Sequence, residues 1–167
     1  MEVLDIVDEN DIIVGSGSKN DIYEKKLTHR IANVFIFNNE NKLALQLRSQ
    51  NVHFCPRHWS ISASGHVQSG ETYEEGALRE LKEEIGLECK LELARKDFYL
   101  TPDGIGKFLT SFTAKSDGPF IIDSEVVDSV KFFSNQEIKK MIAAGEKFHP
   151  ELLFILDRIK DITLICA

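Results

Sequence analysis

The chain has 167 residues, 43% of them hydrophobic, which suits one compact domain with its own core. A net charge of −7 and a pI near 5.3 argue against partners such as nucleic acid or an anionic membrane surface, because binders of either kind carry a basic face. The acidic start MEVLDIVDEND lacks the basic and apolar regions of a secretion signal, and no run of about 18 apolar residues follows, so a soluble, cytoplasmic protein is expected.

In chain order, Val3 to Val7 and Ile12 to Val14 read as two short strands joined by the polar turn Asp8–Asp11, and Gly15 to Asn20 as a flexible connection. Arg30 to Asn38 alternates around Ile31, Val34, Ile36 and Phe37. Asn38–Asn41 turns it into Leu43 to Leu47, the clearest hairpin signal in the sequence. Trp59 to Val67 reads as one strand. Cys89 to Leu100 and Ile105 to Thr113 form a second hairpin across Thr101-Pro102-Asp103-Gly104, and Val126 to Phe133 a further strand. Ser134 with Glu137 makes a capping box for a helix that ends near Gly145. Pro150 takes the first position of a last helix through Ile159. The three cysteines, Cys55, Cys89 and Cys166, are far apart and read as free thiols rather than a zinc site or redox pair.

The densest chemistry lies in residues 65–87, GHVQSGETYEEGALRELKEEIGL. Thr72 and Glu75 form a capping box, so a helix begins about Tyr73, and Gly86 offers a left-handed stop. At about 100° per residue, Ala77, Leu78, Leu81 and Ile85 share a core-facing stripe. Glu80, Glu83 and Glu84 then form an adjacent strip turned away from the core. Like charges at this spacing repel, and carboxylates in a last turn oppose the helix dipole. A cation relieves both costs. Hard oxygen ligands favour Mg²⁺, with Mn²⁺ as the alternative ion; a calcium site and a purely structural cluster are the competing readings.

Gly65, Glu71, Arg79, Glu80, Glu83, Glu84 and Gly86, with aliphatic Leu81 and Leu87, match every fixed position of G-x5-E-x7-R-E-U-x-E-E-x-G-U, the Nudix box. At average residue usage such a coincidence has a probability on the order of 10⁻⁹ per starting position. The chain therefore resembles a Nudix hydrolase. The resemblance implies the α/β class, with the Nudix fold as an α/β/α sandwich around a mixed β-sheet, and a single Nudix domain over residues 1–167. It also implies hydrolysis of a small-molecule nucleoside diphosphate derivative by attack of metal-activated water. Glu80, Glu83 and Glu84, with the Gly65 carbonyl, resemble the box metal ligands, and Glu80 or Glu84 can double as general base. Arg79 resembles the box arginine that fixes the loop, with Glu71 as its partner. Glu125 fits the place where many members recruit a catalytic carboxylate outside the box, with Asp128 as the alternative. Monomer and homodimer both stay open.

Outside the box, V-D-x-x-D-E-N at the front, Thr28-His29-Arg30, Leu47-Arg48-Ser49 and Trp59 to His66 are similar to the isopentenyl-diphosphate-isomerase-like branch over residues 1–135. Arg48 matches a diphosphate-binding position there, and His66 is a candidate substrate contact or a packed histidine. His29 reads as structural, and His53, His58 and His149 as surface residues. True isomerases place a cysteine where Ser64 stands and a histidine where Ile22 stands. A serine hydroxyl is no comparable acid near neutral pH, so hydrolysis is the first expectation. An isomerase and a non-catalytic binding module are the alternatives. Substrate choice is expected to lie in residues 15–28, 50–58 and 101–106.

Overall fold

The computed structural model describes residues 1–165; Cys166 lies outside them. The chain opens with an antiparallel ribbon of β1 (Val3–Val7) and β2 (Ile13–Ser18). The Asp8 carboxylate closes its turn by accepting from the N–H groups of Asn10 and Ile12, both at 2.9 Å. The stretch expected to be a flexible connection is instead the end of β2 and the helix α1 (Lys19–Glu24). Ser18 caps α1 by accepting from the Asp21 N–H at 3.1 Å, and Ile22 is its one buried side chain.

The main sheet has seven strands: β3 (His29–Phe37), β4 (Leu43–Arg48), β5 (Trp59–Ser60), β6 (Ala63–His66), β7 (Glu92–Leu100), β8 (Gly106–Lys115) and β9 (Val127–Phe133). Parallel pairing of β3 with β8, among otherwise antiparallel contacts, makes the sheet mixed. The helix α2 (Tyr73–Ile85) covers one face, packing Ala77, Leu81 and Ile85 on Ala32, Val34 and Ala44. On the other face, α3 (Asn135–Ala143) and α4 (Pro150–Ile159) bring Ile138, Leu152 and Ile155 against Ile31, Phe35 and Leu45. The fold is thus an α/β/α sandwich, and the capping boxes at Thr72 and Ser134 are both formed. Among the described residues, no helix is long and apolar enough to cross a membrane.

Two expectations change in ways that shape the site. The β3–β4 hairpin pairs only at its closed end, Phe37 with Leu43. Beyond it the strands part, β3 toward β6 and β8, β4 toward β5 and β9. The single strand expected from Trp59 to Val67 accordingly breaks: Trp59 and Ser60 pair with β4, and Ala63 to His66 pair with β3. Ser62 sits at the break and ties the diverging strands, its hydroxyl donating to the Ala44 carbonyl at 2.5 Å and accepting from the Ile36 N–H at 2.9 Å. Leu78, placed in the core stripe by the helical wheel, lies at its margin and is exposed.

Candidate active site

The opening between β3 and β4 is floored by β6 and roofed by α2, and this junction gathers the box residues. Gly65 is required here by contact: a Cβ on it would meet the Glu80 carboxyl carbon at 2.1 Å. Gly86 is required by conformation, since it ends α2 at φ 66°.

Arg79 organises the loop. Its Nε and Nη2 donate to the two Glu71 oxygens at 2.7 and 3.0 Å, and Nη2 also reaches the His66 carbonyl at 2.9 Å. Its Nη1 donates to Glu80 at 2.6 Å and to Glu83 at 3.5 Å. This arrangement holds the Glu71 carboxyl below the usual carboxylate range.

The three glutamates do not form the outward strip expected from the helical wheel. Glu84, next to the apolar stripe, turns into the sheet and is buried, with Oε2 accepting from Gln46 Nε2 at 2.8 Å and from the Ser64 N–H at 3.1 Å. Burial, and then the neighbouring Glu80, push its carboxyl up to about 8. Burial likewise raises Glu80, against the pull of Arg79. Glu83 faces solvent with 61% of its side chain exposed, so only Glu80 and Glu84 stand together. Among the described residues, no three His, Cys, Asp or Glu side chains already form a metal cage. The donors present nevertheless suit a divalent ion: two hard carboxylates, both disfavoured in their charged form, beside the backbone of Gly65.

The other candidates are more dispersed. Glu125 is exposed in the turn before β9, a turn held near the end of α2 by the Asp123 N–H donating to the Glu84 carbonyl at 3.0 Å. Asp128 is committed to Arg57 at 2.8 Å. Arg48 uses Nε on the Phe54 carbonyl at 3.1 Å, within the 50–58 loop, and its Nη groups have no hydrogen-bond partner among the described residues. Burial raises the Cys55 thiol, so it is not an activated nucleophile. Ser64 donates its hydroxyl to Asn33 Oδ1 at 2.7 Å.

Strand alternation sends His66 to the face opposite Gly65. There its Nε2 meets the Tyr23 hydroxyl at 2.8 Å and its ring stacks 5.4 Å from that of His29. His29 is fully buried, with Nδ1 3.0 Å from the Leu27 carbonyl, so Nδ1 carries the proton and burial holds the ring neutral. The buried pair Lys107–Glu151, 2.8 Å apart, adjoins this cluster, with the Lys107 ammonium over the Tyr23 ring. Sequence reasoning missed this pair, because its members lie 44 residues apart and neither belongs to a motif. His149, expected at the surface, caps α4 instead, its Nδ1 accepting from the Glu151 N–H at 3.2 Å.

The profile of the NUDIX domain matches residues 27–153, and the chain belongs to that family. It is an enzyme of the Nudix pyrophosphohydrolase class. Enzymes of this family act on small molecules with divalent metal ions. A Nudix hydrolase of Deinococcus radiodurans is 29% identical over 94% of this chain and 93% of its own length. A crystal structure of a protein from that organism superposes with a TM-score of 0.82 at 28% identity, covering 94% of this chain and 98% of the other. An uncharacterised Nudix hydrolase of Nostoc sp. is 40% identical, with the match spanning 61% of each chain. An isopentenyl-diphosphate Delta-isomerase of Photorhabdus laumondii is 30% identical over 84% of this chain and 82% of its own.

Proposed function

We propose that the chain, as one Nudix domain, is a Mg²⁺-dependent hydrolase that cleaves the diphosphate linkage of a nucleoside diphosphate derivative. The observation that carries this reading is the Glu80–Glu84 pair at Gly65, two carboxylates whose charge is disfavoured by burial until a cation joins them. Glu80, Glu84 and the Gly65 carbonyl would hold Mg²⁺, with Glu83 completing the set by a change of rotamer. When bound there, the ion supplies neutralisation of diphosphate oxygens and activation of water.

The protein's own residues do the rest. Arg79, anchored on Glu71 and the His66 carbonyl, fixes Glu80 beside Gly65. Glu84 or Glu80 would take the water's proton, since both carboxylates stand beside Gly65. Glu125, in the exposed turn before β9, is the second candidate base. The Nη groups of Arg48 would fork onto phosphate oxygens, while His66 pairs with Tyr23 on the opposite face of the sheet. The acidic balance of the chain supports a cytoplasmic location.

The test is product release from a panel of nucleoside diphosphate derivatives with Mg²⁺ and with chelator. Mg²⁺-dependent cleavage of at least one member is expected, and no cleavage of any member with added Mg²⁺ contradicts the reading. Similarity to an isomerase favours the second reading, isomerisation of an isoprenoid diphosphate. The Ser64 hydroxyl, already donating to Asn33, opposes it. Turnover of isopentenyl diphosphate in a parallel assay would establish it.

A further inference from the structure

We infer that Gln46 is the positioning residue that aims Glu84 at the metal, an assignment that rests on the metal-site reading above. Gln46 lies in β4, LALQLR, where alternation puts Leu43 and Leu45 on the α4 side and Ala44 and Gln46 on the α2 side. Both sides are buried, and Gln46 itself is 0% exposed. An apolar residue fits such a place by packing alone. The amide is instead held with its Oε1 unpartnered among the described residues, a cost that folding does not return.

The amide nitrogen accounts for it. Nε2 donates to Glu84 Oε2 at 2.8 Å, while its approach to the Ser62 carbonyl is long, 3.5 Å. The Ser64 N–H donates to the same Oε2 at 3.1 Å. Two donors on one carboxylate oxygen fix the plane of the group and leave Oε1 as the oxygen available to a cation. They also support the charged form against its burial. Ser64 contributes backbone that any residue supplies, so the side-chain choice falls on Gln46. Because β4 has separated from β3 at this level, the amide spans the opening between strand and helix.

Gln46 and Glu84 should therefore be coupled. Removing the amide should weaken metal binding only while Glu84 is a carboxylate that needs aiming. The experiment is a Mn²⁺ titration of the full chain, followed by electron paramagnetic resonance, for wild type, Gln46→Met, Gln46→Leu, Glu84→Gln and the Gln46→Met/Glu84→Gln double variant. The two apolar replacements guard against one failing to fold, which circular dichroism reports. We expect Gln46→Met to raise the Mn²⁺ Kd by about tenfold, within the usual range for groups that orient a metal ligand. In the Glu84→Gln background the same change should leave Kd within about twofold, because coupled residues are not additive. With substrate, kcat should fall while KM stays within about twofold, since Gln46 touches no substrate. A merely structural Gln46 would lower the melting temperature and leave Mn²⁺ affinity unchanged, which overturns the inference alone. Equal losses in both backgrounds also overturn it. A wild type that binds no Mn²⁺ overturns the metal-site reading together with this one.

Discussion

At the scale of single residues, the site is defined by close approach. Gly65 has no room for a Cβ because the Glu80 carboxyl occupies that space, at 2.1 to 2.6 Å. The obstructing atoms end a flexible side chain, so Gly65→Ala should leave the fold intact and push Glu80 away. The expected result is a melting temperature within a few degrees of wild type and at least a tenfold loss of kcat/KM, more than about 1.4 kcal/mol of transition-state stabilisation. A large fall in melting temperature with normal kcat/KM would show that Gly65 serves packing alone. The sequence motif identified these residues but not their depth. Glu84 lies only about 20° from Ala77, the edge of the apolar stripe, on a helical wheel, and the wheel cannot tell solvent from a polar gap in a sheet. Gln46 gave no signal beyond its inward parity in β4, because its partner is 38 residues away.

At the scale of elements, caps and turns were legible because each is a local hydrogen-bonding bargain: Thr72 with Glu75, Ser134 with Glu137, and Gly86 in the left-handed region. The short helix α1 was not, since Lys19–Glu24 buries only Ile22 and has no amphipathic period to read. The broken strand from Trp59 to His66 was hidden for a related reason, as its residues alternate normally while changing partner strand. The β1–β2 ribbon is fastened to the sandwich through Asp11. Arg30 Nε and the Tyr73 hydroxyl donate to its carboxylate at 2.6 and 2.9 Å, and Lys96 joins them. Burial opposes the charge, but the Lys96, Arg30 and Tyr73 contacts outweigh it and hold the carboxyl below its usual range. Asp11→Ala should cost about 1–3 kcal/mol in urea unfolding. Because the folded carboxyl is the stronger acid, its contribution is present above the unfolded value of 3.8 and is lost as pH falls. The destabilisation should therefore shrink in acid, and a loss that is constant with pH would refute the ionic account.

At the scale of the whole molecule, the mixed sheet keeps the Glu80 and Glu84 carboxylates on the α2 face and the His29 and His66 rings on the other. Burial lowers both His29 and His149 from 6.5 to about 4. His149 also needs an unprotonated Nδ1 to cap α4. Both rings are neutral when folded and take up protons more readily when unfolded. Their contribution is complete above pH 6.5 and is lost as pH falls toward 4. The raised Glu84 carboxyl acts in the opposite sense over this range, so the test is a difference: His149→Asn, which keeps a capping acceptor, should lose less stability in urea than wild type as pH falls from 6.5 to 5. Equal losses would remove His149 from the account.

We propose that the buried Glu84 carboxylate carries hydrolysis together with a divalent ion. The most direct test is the Mg²⁺-dependent kcat of wild type and Glu84→Gln on whichever nucleoside diphosphate derivative is cleaved fastest. A loss of at least about a hundredfold is expected for the variant, with its fold unchanged; equal rates for the two proteins would rule Glu84 out.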